Sequence, residues 1–353
     1  MSEQTTPATT AAPPPDEHQR VEAETAAPPG SRVARVMASP AGRNLGLVVA
    51  LAILCVIGVV TAGDLFADVD NVITILRAAA VIGIISVGMT FVIIGGGIDL
   101  SVGSITALAT VWATTVATQE LAADIHWSVI VGSAVLVGAG CGLVNGVLIA
   151  YGRIAPFIAT LAMFAAARGL AEVISDKRNQ LVDDASYVDF FARDLLGIPV
   201  LVYMFALVAA IGWVLLNRTT FGRRTIAVGG NEEAARLAGI KVQRHTVYLY
   251  VLLGVACGIA AAMLLARTGT GTAQHGVLYE LDAIAAVVIG GTLLTGGRGT
   301  IVGTVLGVLI FTTLTNVFTL NNLDTSNQNV AKGVIIVAAV LLQQAVAKRA
   351  GST

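Results

Sequence analysis

From Asn44 onward the apolar positions follow neither the alternation of a half-buried strand nor the one-sided stripe of a soluble helix; they form long runs that are apolar all round. Uncharged stretches cover 44–63, 78–98, 100–119, 125–152, 195–217, 245–266 and 299–323. Each reaches the roughly 20 residues that a helix needs to cross about 30 Å of hydrocarbon. Three shorter stretches, 154–171, 283–297 and 329–347, carry or adjoin a charge and bring the expected count to ten spans. Barrel strands are excluded, because lipid-facing strands alternate over about ten residues and these runs do not. The pattern predicts an all-α polytopic membrane protein.

Cation placement sets the orientation, since cytoplasmic connections collect Lys and Arg. With the N-terminus in the cytoplasm, the inner connections hold Arg32, Arg35 and Arg43, then Arg153, then Arg218, Arg223, Arg224, Arg236, Lys241 and Arg244, then Arg298, and finally Lys348 and Arg349. The outer connections carry fewer cations, Lys177, Arg178, Arg193 and Arg267 among them. Both termini are therefore expected in the cytoplasm, with residue 187 exposed in a polar outer connection and residue 227 in an inner one.

Composition agrees. Of 353 residues 56 % are hydrophobic and 12 % charged, and the mean hydropathy is +0.82, so water is not the main solvent. Lys and Arg number 21 against 22 Asp and Glu, a net charge of -1 that offers no basic excess for neutralising nucleic-acid phosphates. Cys55, Cys141 and Cys257 lie inside apolar runs without CxxC spacing, as buried free thiols do. The four histidines form no metal-binding spacing, and no G-x-x-x-x-G-K-[ST] loop is present to cradle ATP. No metal or cofactor is expected. Residues 1–42, rich in Thr, Ala, Pro and Glu, read as a disordered cytoplasmic tail ahead of a membrane domain over 43–348.

Several polar residues stand where lipid should exclude them. In Gly95-Gly96-Gly97-Ile98-Asp99-Leu100-Ser101 an embedded Asp costs about 2.5 to 3.5 kcal/mol, and three glycines let the backbone leave helical geometry just before it. Either a helix restarts inside the membrane with Asp99 or Ser101 accepting from its first N–H groups and its positive end on a cavity, or Asp99 is only a cap near the cytoplasmic face. Asn145 serves as a hydrogen bond between helices or faces a pathway. Glu280 and Asp282 either favour the positive end of the helix that follows or meet a polar substrate. The basic connection 218–244 contains Asn231-Glu232-Glu233-Ala234-Ala235-Arg236-Leu237-Ala238-Gly239. Asn231 is an N-cap, two carboxylates occupy the positive first turn, and Gly239 suits a left-handed stop. So short a helix must be held by packing, on its own bundle or on another protein.

These segments, in this order, resemble the permease subunits of bacterial ABC importers for monosaccharides, the ribose-type group. The resemblance rests on GGGIDLSVGSITALA (95–109), NGVLIAYGRIAPFIATL (145–161) with Arg168-Gly169 behind it, GGNEEAARLAGI (229–240) and YELDAIAAVVIGGTLLTGGRGTIVGT (279–304). It implies a multi-pass protein of the bacterial inner membrane, a dimer of permeases around one pathway, an extracytoplasmic sugar-binding protein, and a cytoplasmic ATPase that hydrolyses the ATP, this chain being no enzyme. It further implies that 231–239 is the coupling helix docking on that ATPase. The expected cargo is a small neutral sugar, a pentose such as ribose, with Asp99, Ser101, Asn145, Glu280 and Asp282 as polar lining. The rival readings are an ion-coupled carrier with Asp99 as its proton or sodium site, and an ABC permease for a nucleoside or branched-chain amino acid.

Overall fold

A computed structural model describes residues 40–351; the expected tail over 1–42 lies, but for its last three residues, outside the described ones. In chain order the helices begin with α1 (Pro40–Ala62), α2 (Asp64–Ala67), α3 (Val69–Ile94), α4 (Val102–Ala113), α5 (Val116–Asp124), α6 (Ser128–Ala150) and α7 (Pro156–Ile174). After strand β1 (Gln180–Leu181) come α8 (Ala185–Ala192), the strands β2 (Asp194–Leu195) and β3 (Ile198–Pro199), and α9 (Val200–Arg218). Then follow α10 (Thr220–Gly230), α11 (Glu232–Leu237), α12 (Val242–Thr268), strand β4 (Thr270–Gly271), α13 (Tyr279–Ile289), α14 (Ile301–Leu320) and α15 (Thr325–Gly351). Among the described residues seven helices, α1, α3, α6, α7, α9, α12 and α14, are long and apolar enough to cross a membrane. The chain is a helical polytopic membrane protein.

Two of the expected spans are not continuous helices. The stretch 100–119 breaks after Ala113, where Thr114 Oγ1 turns back to the Thr110 carbonyl at 2.9 Å and meets Gln180 Oε1 at 2.9 Å, beside the antiparallel pair of β1 and β4. The stretch 283–297 stops at Ile289. There Gly291 takes φ +86°, its N–H donates to the Val288 carbonyl at 2.8 Å, and the Thr292 N–H reaches the Val287 carbonyl at 3.2 Å. That pair of bonds is the glycine-terminated helix end that closes the last free carbonyls. At 12 and 11 residues, α4 and α13 are about 18 and 16 Å long, little more than half a span each. Uncharged length alone does not reveal such interruptions.

The centre of the bundle is α12, packed on α6, α3 and α4. Its seam with α6 is a backbone contact: a methyl at Gly138 or at Gly254 would overlap the other's carbonyl oxygen. Small residues at such crossings let helices gain dispersion contact without a hydrophobic drive between them.

The connection around residue 187 is also not the polar loop expected. Tyr187 on α8 is fully buried, donates its hydroxyl to the Ala262 carbonyl, and stacks edge-on with Phe191 at 5.1 Å beside Trp127. The accessible point of this connection is Leu196, 98 % exposed at the tip of the β2–β3 pair. In intact cells an impermeant thiol reagent should label Leu196→Cys and spare Ala227→Cys. Labelling of the second at the rate of the first would overturn the orientation given by the cations.

Candidate functional site

The first break begins with another glycine-terminated end. Gly96 takes φ +83°, its N–H donates to the Ile93 carbonyl at 3.0 Å and the Gly97 N–H to the Val92 carbonyl at 2.9 Å, which satisfies the end of α3 before the chain turns back. The Tyr250 hydroxyl donates to the Ile98 carbonyl at 3.1 Å. Tyr250 lies eight residues into α12, so the break sits about 12 Å along that helix from its basic end.

Asp99, Ser101 and Asn145 come together here, all sealed within one chain at 0–1 % exposure. Asp99 Oδ1 accepts from the Ser101 N–H at 2.8 Å and the Ser101 hydroxyl at 2.5 Å. Asn145 Nδ2, reaching across from α6, donates to Asp99 Oδ2 at 3.3 Å and Ser101 Oγ at 3.0 Å. The carboxylate thus fixes Ser101, the residue that precedes the restarting helix α4, through its N–H and its hydroxyl, while among the described residues no side chain accepts from the N–H groups of the first turn of α4.

Glu280 and Asp282 part company. Asp282 pairs with Lys332 of α15 at 3.2 Å, the two side chains being 14 and 16 % exposed, and the Lys332 ammonium also lies 5.1 Å from the centre of the Phe311 ring. Glu280 is buried against Gly103 in the first turn of α4. Its Oε2 has no hydrogen-bond partner, and neither has the nearby Ser104 hydroxyl or Asn145 Oδ1. Sequence reasoning passed over Ser104, which looks like any small residue of a packed helix.

Beside Glu280, the segment between β4 and α13 is pinned from α7. The Arg168 guanidinium donates to the Ala273 carbonyl and, at 2.8 Å, to the His275 carbonyl. His275 Nδ1 lies 3.3 Å from Thr110 Oγ1. Burial, and then the Arg168 charge, hold its imidazole down to about 4, so it is neutral at physiological pH. At this end of the bundle a cavity of about 260 Å³ is lined by Glu172, Lys177, Asn179, Thr272, Ala273 and Gln274, a set of both charge signs, amides and a hydroxyl.

At the opposite, basic end stands α11. Asn231 Oδ1 accepts from the Ala234 N–H at 2.9 Å, Gly239 takes φ +83°, and the Ile240 N–H closes on the Ala235 carbonyl at 3.0 Å. Ala235 packs inward with Val228 and Val242, while Leu237 is 81 % exposed. Glu233 is hydrogen-bonded to Arg236, which holds its carboxyl below the usual range; the pair is fully exposed and adds little to stability.

A family model described as the branched-chain amino acid transport system / permease component matches residues 71–340. The chain belongs to this permease family. It is 44 % identical to the ribose import permease protein RbsC of Bacillus subtilis over 304 residues, covering 86 % of this chain and 93 % of that one. Identity to RbsC of Escherichia coli K12 is 39 %, over 83 % of this chain and 91 % of the relative. The L-arabinose ABC transporter permease protein AraH of Azospirillum brasilense is 40 % identical, over 78 and 80 % of the two chains. No solved structure matches the chain.

Within this permease the embedded polar groups make distinct demands. Asp99→Asn keeps the Ser101 bonds and should retain a large part of uptake and thermal stability. Asp99→Leu leaves the Ser101 N–H and hydroxyl sealed without their acceptor and Asn145 Nδ2 with Ser101 Oγ alone, at about 1–3 kcal/mol for each lost partner, and should lower the unfolding temperature in detergent by several degrees. Lys332→Ala strands a buried carboxylate, a loss of about 3 kcal/mol or more. The double change Lys332→Ala with Asp282→Ala should recover most of it, as a thermal-unfolding cycle on the purified permease would read.

Proposed function

We propose that the chain is the membrane permease of an ATP-driven importer that carries a monosaccharide, ribose first among candidates, across the bacterial inner membrane. The observation that carries this is the 39–44 % identity to ribose import permeases over more than four-fifths of both chains. The chain is a transporter subunit rather than an enzyme; ATP is hydrolysed by a separate subunit, and an extracytoplasmic binding protein delivers the sugar. Two copies of the permease form the working unit.

The finer topology is ten passes with both termini in the cytoplasm. The seven long helices are supplemented by α15 and by the half-length α4 and α13, each completed by its break, and the connection 218–244 with α11 faces the cytoplasm. The tail over 1–42 precedes this domain on the same side.

Of the residues expected to line the pathway, Glu280 has the strongest support. A sealed carboxylate oxygen without a protein donor, beside the equally unpartnered Ser104 hydroxyl, has unused capacity for the hydroxyl groups of a polyol once that region opens. Asp99, Ser101 and Asn145 are already bonded to one another, which supports a clasp that fixes the start of α4 beside the route. Asp282, neutralised by Lys332, ties α13 to α15. The ion-coupled reading needs a carboxylate free to take up and release its ion, whereas Asp99 is held by three donors.

Residues Asn231 to Gly239 form the contact with the ATPase. Glu232, Glu233, Ala234 and Arg236 are exposed, and Leu237 is the apolar anchor. Leu237→Asp should leave the permease inserted and dimeric yet strip the ATPase on co-purification and abolish uptake, because a charge buried in an apolar pocket costs more than a small interface returns. In proteoliposomes with ATPase and binding protein, labelled ribose should enter only with ATP and should be indifferent to a protonophore. Uptake that persists without ATP, and collapses with the proton gradient, would overturn the assignment.

A further inference from the structure

Five glycines from three distant segments meet at one point at the basic end of the bundle. The Gly297 N–H donates to the Ile94 carbonyl at 2.8 Å, joining the 290–300 break to the end of α3. Gly229, at the end of α10, lies against that bond: a methyl there would overlap the Ile94 oxygen and stand 2.8 Å from the Gly297 nitrogen. A methyl at Gly296 would come within 2.7 Å of the Gly229 carbonyl and 3.1 Å of the Gly96 Cα, and one at Gly297 within 2.9 Å of the Gly230 Cα. Gly96, Gly296 and Gly297 all take positive φ. Two residues after Gly229 comes Asn231, the cap of α11, and two residues after Gly97 comes Asp99.

We infer that Gly229 is the positioning residue through which displacement of α11 reaches both broken passes, so that the ATPase cycle moves the Asp99 clasp and the 290–300 break together. The inference rests on α11 being the ATPase contact. Backbone packed on backbone, with no side chain between, has no rotamers to absorb a shift, so the three segments move as one piece. Gly229 touches neither sugar nor nucleotide; its part is to fix where α11 stands relative to the breaks. Gly230 supplies an internal contrast, since a methyl there meets nothing within 4 Å.

The test has two arms. In the reconstituted importer Gly229→Ala should keep the ATPase on co-purification and keep basal ATP hydrolysis, while the sugar moved per ATP falls at least about tenfold; Gly230→Ala should match the wild type in all three. Loss of the ATPase from Leu237→Asp reads docking alone, so the two assignments fail separately. If Gly229→Ala does not accumulate, the second arm decides by itself. Spin labels at Ala227→Cys, outside the ATPase contact, and Thr295→Cys should keep their separation to within about 2 Å between nucleotide-free and ATP-bound states, while Ala227→Cys to Val173→Cys changes by more. Wild-type sugar-to-ATP ratios in Gly229→Ala would overturn the inference. A 227–295 separation that changes as much as 227–173 would do so too.

Discussion

A peptide group without a hydrogen-bond partner costs several kcal/mol in hydrocarbon, so a membrane chain that interrupts its helices must close each interruption with its own atoms. The architecture of this permease follows from meeting that demand at two places. After α3 and after α13 the carbonyls are closed by paired bonds from a left-handed glycine and its successor. Where the helices restart, side chains take up backbone N–H groups: Asp99 accepts from Ser101, just before α4, and Thr300 Oγ1 accepts from the Gly303 N–H at 3.0 Å in α14. The first break stands between the long α3 and the half-length α4, the second between the half-length α13 and the long α14. With their backbone groups already satisfied, the breaks are able to lie against one another and against Gly229 without a bridging side chain.

How much of this could be read in advance depended on how local each cause is. The helix over 232–237 was legible to within a residue, because Asn231 and Gly239 act on N–H groups and carbonyls a few positions away. The half helices were not legible as such. A run without charge records the solvent around a segment, not where its hydrogen bonds stop, and 100–119 stays uncharged straight through the turn at Thr114. Gly290-Gly291 was the available signal for the second break. The meeting of Asp99 with Asn145 joins residues 46 apart, and that of Asp282 with Lys332 joins residues 50 apart; no spacing encodes either. For the second pair a count would have served, since an embedded acid and an embedded base on short, less apolar stretches solve each other's cost. Tyr187 misled for the opposite reason: acids at 183, 184, 189 and 194 surround it in sequence, while its burial comes from Trp127 and Phe191.

The embedded ionisable groups show where structure ends and function has room to begin. Asp99 is compensated by three neutral donors, Asp282 by a cation, and Arg168 by two backbone carbonyls that it pins in place. In each case removing a partner leaves a sealed charge or dipole, and the arrangement is explained by folding alone. Glu280 differs. It is buried, but Oε2 receives no donor. A group whose burial costs more than its visible bonds return is either strained for the fold's benefit or waiting for a partner absent from the chain. Ser104, also unpartnered, stands in the same first turn of α4 as Gly103, against which Glu280 packs. On the proposed reading, a neutral polyol, which brings several hydroxyl groups and no charge, suits such an acceptor because it need not be separated from an ion pair when it leaves.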